Sequence, residues 1–267
     1  MNLALRVISG AILLGVVAAG LWIGVGGVAT LVVIGSLLGA WELAGLTSGF
    51  GRPAAWLLYP LTFWLALRYA FPPAYQSAEW PLVAALAVGL LVLAGDRHAF
   101  QRWSTAVAGA LYVGFSLGFF LALYRWQPVD PDHFGARLVS LVLLTVVAGD
   151  TVAYFAGSAF GRRGFFRGIS PHKTVEGAIA GALAAILLAV LAGPALVGLS
   201  RPAGFGLGAL LAIASQGGDL VESRLKREAG VKDSSRLIPG HGGLLDRIDS
   251  LVLVAPVAFC YLKLISF

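Results

Sequence analysis

Nine stretches of this chain, at 5–24, 27–46, 55–73, 80–96, 103–124, 138–160, 177–199, 203–222 and 248–266, are apolar almost throughout. A helix crossing the hydrocarbon core of a bilayer needs about 20 such residues, so nine spans would occupy about 180 positions. No separate soluble domain fits in the remainder. Composition agrees, with 58% hydrophobic and 12% charged residues, where an ordinary soluble domain carries about 25% charged. Too little charge is left to coat a water-facing surface, which excludes a soluble globular enzyme. The period-two alternation of a membrane barrel is missing from the sequence. The expected fold is all-α: a polytopic membrane helix bundle with about nine transmembrane helices.

The two halves differ in character. Residues 1–136 read as five N-terminal spans forming a lipid-facing scaffold, and all seven tryptophans lie there (Trp22, Trp41, Trp56, Trp64, Trp80, Trp103 and Trp126). Several sit near span ends, where aromatic rings anchor at the lipid interface. Residues 137–267 carry the remaining spans and two long basic loops, 161–176 and 223–247. The apolar run Val7–Gly24 exceeds the core of a cleavable signal and reads as a retained first helix. Cys260 is the single cysteine, which excludes an intrachain disulfide or a cysteine-ligated zinc. Thirteen of the 19 Lys and Arg residues fall in even-numbered connections. The positive-inside rule puts those connections in the cytoplasm and, with nine helices, both termini outside.

The most specific polar stretch is SRLKREAGVKDSSRLIPGHGGLLDRID at 223–249. Glycines around His241 let the backbone approach a ligand closely. Asp246 and Asp249, three apart, share one helical face. Asp246 alone also suits a helix start, where a carboxylate favours the dipole. Upstream, Asp219, Ser223 and Lys226 form an i, i+4, i+7 stripe. A carboxylate near the end of a span is costly unless paired or metal-bound. Asp219 is therefore either an ion-pair partner of Lys226 or an arginine, or a ligand of Mg²⁺, which favours hard oxygen donors. Asp150, in the sixth stretch, takes either a polar role in a catalytic cavity or a structural hydrogen bond. Ser170, Lys173, Thr174 and Glu176 surround a helix start, which can be read as a cap or as a phosphate site. Glu42 is an isolated intramembrane acid, a candidate partner of Arg68 or a cavity-lining group. His98 and His133 have no second ligand at metal spacing and read as loop residues.

These residues also carry a resemblance. Ser223-x-Leu225-Lys226-Arg227, four residues, Lys232-Asp233, then Pro239-Gly240-His241-Gly242-Gly243-Leu244-x-Asp246-Arg247-Ile248-Asp249 resembles the full signature of the phosphatidate cytidylyltransferases, also called CDP-diacylglycerol synthases. Asp150-Thr151-x-Ala153-Tyr154 and Ser170-Pro171-x-Lys173-Thr174-x-Glu176-Gly177 are similar to further motifs of that family. His172 departs from it, standing where a lysine is expected. The resemblance implies that CTP and phosphatidate become CDP-diacylglycerol and pyrophosphate with Mg²⁺, accompanied by a monovalent cation such as K⁺. Asp219, Asp246 and Asp249 are the expected metal ligands. Lys226, Arg227, Lys232 and Arg247 are expected to hold phosphates, with Asp233 counted in the same catalytic set. His241 either donates a hydrogen bond to a phosphate or shapes the glycine-rich turn. Ser170, Lys173, Thr174 and Glu176 are expected to bind nucleotide or lipid phosphate, with Asp150, Ser223, Gly242 and Gly243 in the same substrate-binding set.

The expected partners are CTP, phosphatidate and the bilayer, with a homodimer through glycine-rich faces and no nucleic acid. The expected location is a bacterial inner membrane, with the active site on the cytoplasmic side. Two rival functions share part of the pattern. A CTP-dependent polyprenol or phytol kinase would use the same helices, metal and nucleotide but release CDP. A transporter would suit the helices and Asp150, although transporter sites usually lie at the midplane and here the charges cluster in loops.

Overall fold

The computed structural model describes residues 3–73, 76, 79–93, 97–127, 133–166, 168–170 and 173–267. The described chain is helical, with no strand. Its elements are α1 (Leu3–Ile23), α2 (Val25–Leu46), the single turn α3 (Ser48–Gly51), α4 (Ala55–Leu67), α5 (Glu79–Leu93), α6 (Arg97–Ala110), α7 (Ser116–Tyr124), α8 (Phe134–Phe160), α9 (Val175–Val197), α10 (Arg201–Glu228) and α11 (Leu245–Leu264). A π turn at Leu111–Phe115 joins α6 to α7 without breaking the rod.

Five described helices are long and apolar enough to cross a membrane: Val25–Leu46, His98–Tyr124, Phe134–Phe160, Val175–Val197 and Arg201–Glu228. The all-α architecture with apolar spans expected from hydropathy is thus present, with five such helices among the described residues where about nine were expected. α4 has 13 residues, contains Pro60 and tightens into a 3₁₀ turn at Arg68–Ala70. At 1.5 Å per residue it is about 20 Å long, less than the hydrocarbon thickness. α5 has 15 residues. α11 has 20, but opens with Asp246, Arg247 and Asp249 and carries Lys263 near its end.

Helix ends also depart from the hydropathy boundaries. The eighth apolar stretch stops at 222, whereas α10 runs on through Ser223-Arg-Leu-Lys-Arg-Glu to Glu228. Arginine, leucine, lysine and glutamate are good helix formers, and Lys226 and Arg227 in the last turn favour the negative end of the dipole. The second basic connection therefore shortens to residues 229–244.

The chain forms two compact units, Met1–Ala122 with Leu225–Ile248, and Leu123–Arg224 with Asp249–Phe267. The boundaries fall within α7, α10 and α11. In the first unit, Leu58, Leu61 and Leu65 of α4 pack with Ala40, Ala85, Ala106 and Ala110. Arg68 is buried at the end of α4, donating to the carbonyl oxygen of Leu65 and stacked against the rings of Tyr69, Phe115 and Phe119. In the second unit, α8 and α9 pack through small residues: a Cβ on Gly181 would lie 2.6 Å from the Gly149 carbonyl oxygen and 2.7 Å from Ala153 Cβ. Small residues let helix backbones approach closely where lipid offers no hydrophobic drive. Tyr261 of α11 donates to the carbonyl oxygen of Ala203 in α10 at 2.9 Å.

Replacing Gly181 by valine forces α8 and α9 apart. The expected loss is about 2 kcal/mol, typical of overpacking. Thermal unfolding of the detergent-solubilised variant should show a lower Tm than wild type, and an unchanged Tm would contradict the tight pairing.

Candidate active site

In the first unit, the turn between α10 and α11 is organised around two carboxylates. Asp246, in the first turn of α11, has a side chain only 4% exposed and takes Lys226 Nζ at 2.6 Å on Oδ1. Its Oδ2 accepts from the Ser234 amide at 2.9 Å, the Gly243 amide at 2.8 Å and the Ser234 hydroxyl at 2.9 Å. Glu42, 2% exposed on α2, is the second. Its Oε1 accepts from Ser235 Oγ at 2.5 Å and the Leu244 amide at 2.9 Å; its Oε2 accepts from the Leu245 amide at 2.6 Å and lies 3.0 Å from Ser234 Oγ, whose single proton it shares with Asp246. Amides at a helix start have no partner within the helix, so Glu42 caps α11 from a distant part of the sequence.

The glycines follow from this crowding. Gly242 has φ +82°, a conformation that L side chains rarely adopt, and a Cβ there would meet Asp246 Oδ2 at 2.8 Å. A Cβ on Gly243 would collide with Ser234 Oγ and lie 2.6 Å from Glu42 Oε1. Ile238 and Gly242 close the turn through an isolated antiparallel bridge. His241 Nδ1 lies 2.7 Å from Ser9 Oγ of α1, which holds the imidazole by a second residue outside the motif. Arg227, Lys232, Asp233 and Arg247 are exposed around this turn.

Asp246 precedes the apolar part of α11. Burial pushes its carboxyl upward, but the hydrogen bond from Lys226 and those from the Gly243 and Ser234 amides outweigh it and hold the group below the usual carboxylate range.

In the second unit, Lys173 Nζ pairs with Asp219 Oδ2 at 2.5 Å and Ser223 Oγ donates to Asp219 Oδ1 at 3.0 Å. The i, i+4 neighbour anticipated on the stripe is therefore a hydrogen-bond partner, while the ammonium on Asp219 comes from Lys173 in the loop before α9 and not from Lys226, which pairs with Asp246, or from an arginine. Gly218 presses against the Asp249 carbonyl, so α10 and α11 touch beside Asp219. Asp249 Oδ1 accepts from the Ser250 amide at 2.6 Å. Ser215 donates to Asp150 Oδ1 at 3.0 Å, beside a cavity of about 20 Å³ that Thr145 and Gln216 also line. Thr174 is the N-cap of α9, accepting from the Gly177 amide at 3.2 Å. Glu176 accepts from the amides of Arg162 and Arg163 at 3.1 and 3.2 Å, tying the preceding loop to the helix. The Ser170 carbonyl accepts from the Lys173 amide at 3.3 Å. His172 lies outside the described residues.

Sequence reasoning missed Ser9, Ser234 and Ser235 and offered Arg68 as a partner of Glu42, whose hydrogen bonds run instead to Ser234, Ser235 and the first amides of α11, while Arg68 donates to the Leu65 carbonyl. The rarity of a carboxylate in an apolar helix was the available signal for Glu42; single serines near a helix carry none. Among the described residues no three His, Cys, Asp or Glu side chains converge as a metal cluster. Asp219 and Asp246 each hold an ammonium group. Both are thus placed where a cation is favoured, and their hard oxygens fit Mg²⁺ on donor chemistry.

Comparison with known proteins places these residues in context. The sequence model of the cytidylyltransferase family matches residues 4–265. The chain is 35% identical over 219 residues to the phosphatidate cytidylyltransferase of Thermotoga maritima, covering 78% of this chain and 76% of that protein. It is 40% identical over 187 residues to the phosphatidate cytidylyltransferase of Brucella abortus, covering 67% and 66%. It is also 38% identical over 173 residues to the uncharacterized protein YnbB of Escherichia coli, covering 64% and 58%. The chain thus spans just under two thirds, or less, of the length of the last two.

Replacing Lys226 by methionine leaves Asp246 buried without its ammonium. At neutral pH the expected loss of stability is about 3 kcal/mol, as for a broken buried pair. Because the folded carboxyl is held low, its contribution is present above the unfolded pKa of about 3.9 and vanishes as pH falls through the folded value. The variant should raise the carboxyl and begin acid unfolding at higher pH than wild type. Thermal melts in detergent across the acid range check both points.

Proposed function

The chain belongs to the cytidylyltransferase family, and we propose that it is a phosphatidate cytidylyltransferase, converting CTP and phosphatidate into CDP-diacylglycerol and pyrophosphate. Support comes above all from the glycine turn at 240–243, closed on Asp246, with the exposed cations Arg227 and Lys232 before it in the chain and Arg247 after it. Two polyanions, one lipid-borne and one soluble, must meet at a membrane surface in this reaction. A set of cations beside a glycine-rich turn suits that encounter.

In the proposed step, an oxygen of the phosphatidate phosphate bonds to the α-phosphorus of CTP. The bond from that phosphorus to the oxygen bridging it to the β-phosphate breaks, and pyrophosphate leaves with that oxygen. The attacking oxygen is already anionic, so no protein nucleophile is needed. Arg227, Lys232 and Arg247 hold phosphate oxygens and offset their repulsion; positioning and charge stabilisation supply the rate. Lys226 and Lys173 orient Asp246 and Asp219. Asp219, Asp246 and Asp249 are the proposed Mg²⁺ ligands, and the ion, when bound, would neutralise phosphate charge. A monovalent cation such as K⁺ is a further proposed cofactor. Ser170, Thr174, Glu176, Asp150 and Ser223 shape the substrate side, Thr174 and Glu176 by fixing the loop before α9.

We further propose nine spans: α1, α2, α4, α5, the α6–α7 rod, α8, α9, α10 and α11. The basic connections before α9 and α11 then lie on the cytoplasmic side of a bacterial inner membrane.

The test is pyrophosphate release from CTP by detergent-solubilised protein, with and without phosphatidate and Mg²⁺, for wild type and Asp246→Asn. Release that requires both the lipid and Mg²⁺ is expected, with a loss of at least about 100-fold in the variant, as for removal of a key electrostatic group. Formation of CDP with a lipid alcohol, without pyrophosphate, would replace the reading by a lipid kinase.

A further inference from the structure

Glu42 lies outside every motif that carries the proposed reaction, on a helix of the apolar scaffold. It is nevertheless among the most constrained polar groups in the first unit. Four donor groups lie within hydrogen-bond distance of its two oxygens: the hydroxyls of Ser234 and Ser235 and the amides of Leu244 and Leu245. With donors from both sides of the turn gathered on its two oxygens, the carboxylate acts as an anchor for that turn. Its four donors bracket the signature turn at both ends, two before it and two after.

The link to Asp246 is short. Ser234 Oγ lies 3.0 Å from Glu42 Oε2 and 2.9 Å from Asp246 Oδ2. A hydroxyl carries one proton, so it can donate to only one carboxylate at a time. The Ser234 amide meanwhile stays on Asp246. Leu245, whose amide binds Glu42, directly precedes Asp246 in α11. Gly243, between the two ends, admits no Cβ because Glu42 and Ser234 fill that space. Moving the Glu42 carboxylate therefore displaces both the backbone that carries Asp246 and the serine that orients it.

We infer that Glu42 is a positioning residue of the active site: its carboxylate clamps residues 234–245 and so sets the orientation of Asp246. The assignment of a catalytic outcome rests on the proposed reaction; the clamp itself does not. Glutamine at 42 keeps the size but puts an NH₂ group in place of one oxygen: the serine hydroxyl on that side can turn to accept from it, while the backbone amide there is left facing a donor.

The experiment compares wild type, Glu42→Gln and Ser235→Ala in detergent by amide hydrogen exchange and by lipid-dependent pyrophosphate release per folded protein. In Glu42→Gln, peptides covering 234–246 should exchange about tenfold faster, as expected when hydrogen bonds to a charged group are lost, while those of α8 and α9 keep their wild-type rates. The kcat should fall about tenfold with the KM for CTP little changed. The Mg²⁺ concentration for half-activation should rise about tenfold, as when an outer-sphere partner of a metal ligand is lost; loss of folded protein would not move it. Ser235→Ala removes one donor without disturbing charge and should show the same changes to a smaller extent, which keeps the test decisive if Glu42→Gln fails to fold. Unchanged exchange over 234–246 in the variant that folds overturns the clamp. Faster exchange with kcat and Mg²⁺ dependence unchanged overturns the positioning role. If wild type turns over no CTP, the proposed reaction fails while the exchange comparison still decides the clamp.

Discussion

A carboxylate buried in an apolar helix must be surrounded by donors, and Glu42 meets that requirement with groups from the far end of the sequence. The energetic reason is plain: an unpaired charge there would cost several kcal/mol. Its hydrogen bonds run to Ser234, Ser235 and the first amides of α11, so satisfying one charge fixes the course of the whole connection. The same contacts cap a helix whose N-terminal amides would otherwise lack partners. Scaffold and signature turn are thereby one construction within the first unit.

Charge is sparse in this chain and is concentrated where it can be used. Asp246 with Lys226, and Asp219 with Lys173, are carboxylate–ammonium pairs carried by or next to the basic connections. Each carboxylate is also hydrogen-bonded by a neighbouring serine, Ser234 for Asp246 and Ser223 for Asp219. Held this way, both side chains are oriented while nearby cations remain at the surface. The apolar helices contribute by packing through glycine and alanine, as at Gly149 and Gly181, which lets their backbones approach closely.

Much of the site was legible as residue types at spacings. The stripe from Asp219 through Ser223 to Lys226 and the pair Asp246 and Asp249 stand on α10 and α11, where periodicity put them. Thr174 and Glu176 show the limit of that reading: both stand at a helix start as expected, but which amides they bind depended on a loop path that spacing does not encode. Hydropathy ended α10 too early because the residues after 222 are charged yet strongly helix-forming. It also counted apolar length without registering that α4 tightens at Arg68 or that α11 begins with three charges.

The sequence by itself determined that this is an all-helical protein with several helices apolar enough to cross a membrane and with basic residues gathered in and beside two connections, because apolar run length and charge placement are local properties. Only the tertiary structure decided the partners: Lys173 for Asp219, Lys226 for Asp246, Ser9 for His241 and residues 234–245 for Glu42. A hydrogen bond forms wherever folding brings donor and acceptor within about 3 Å. That distance depends on how helices pack, and for Glu42 it joins groups some 200 positions apart.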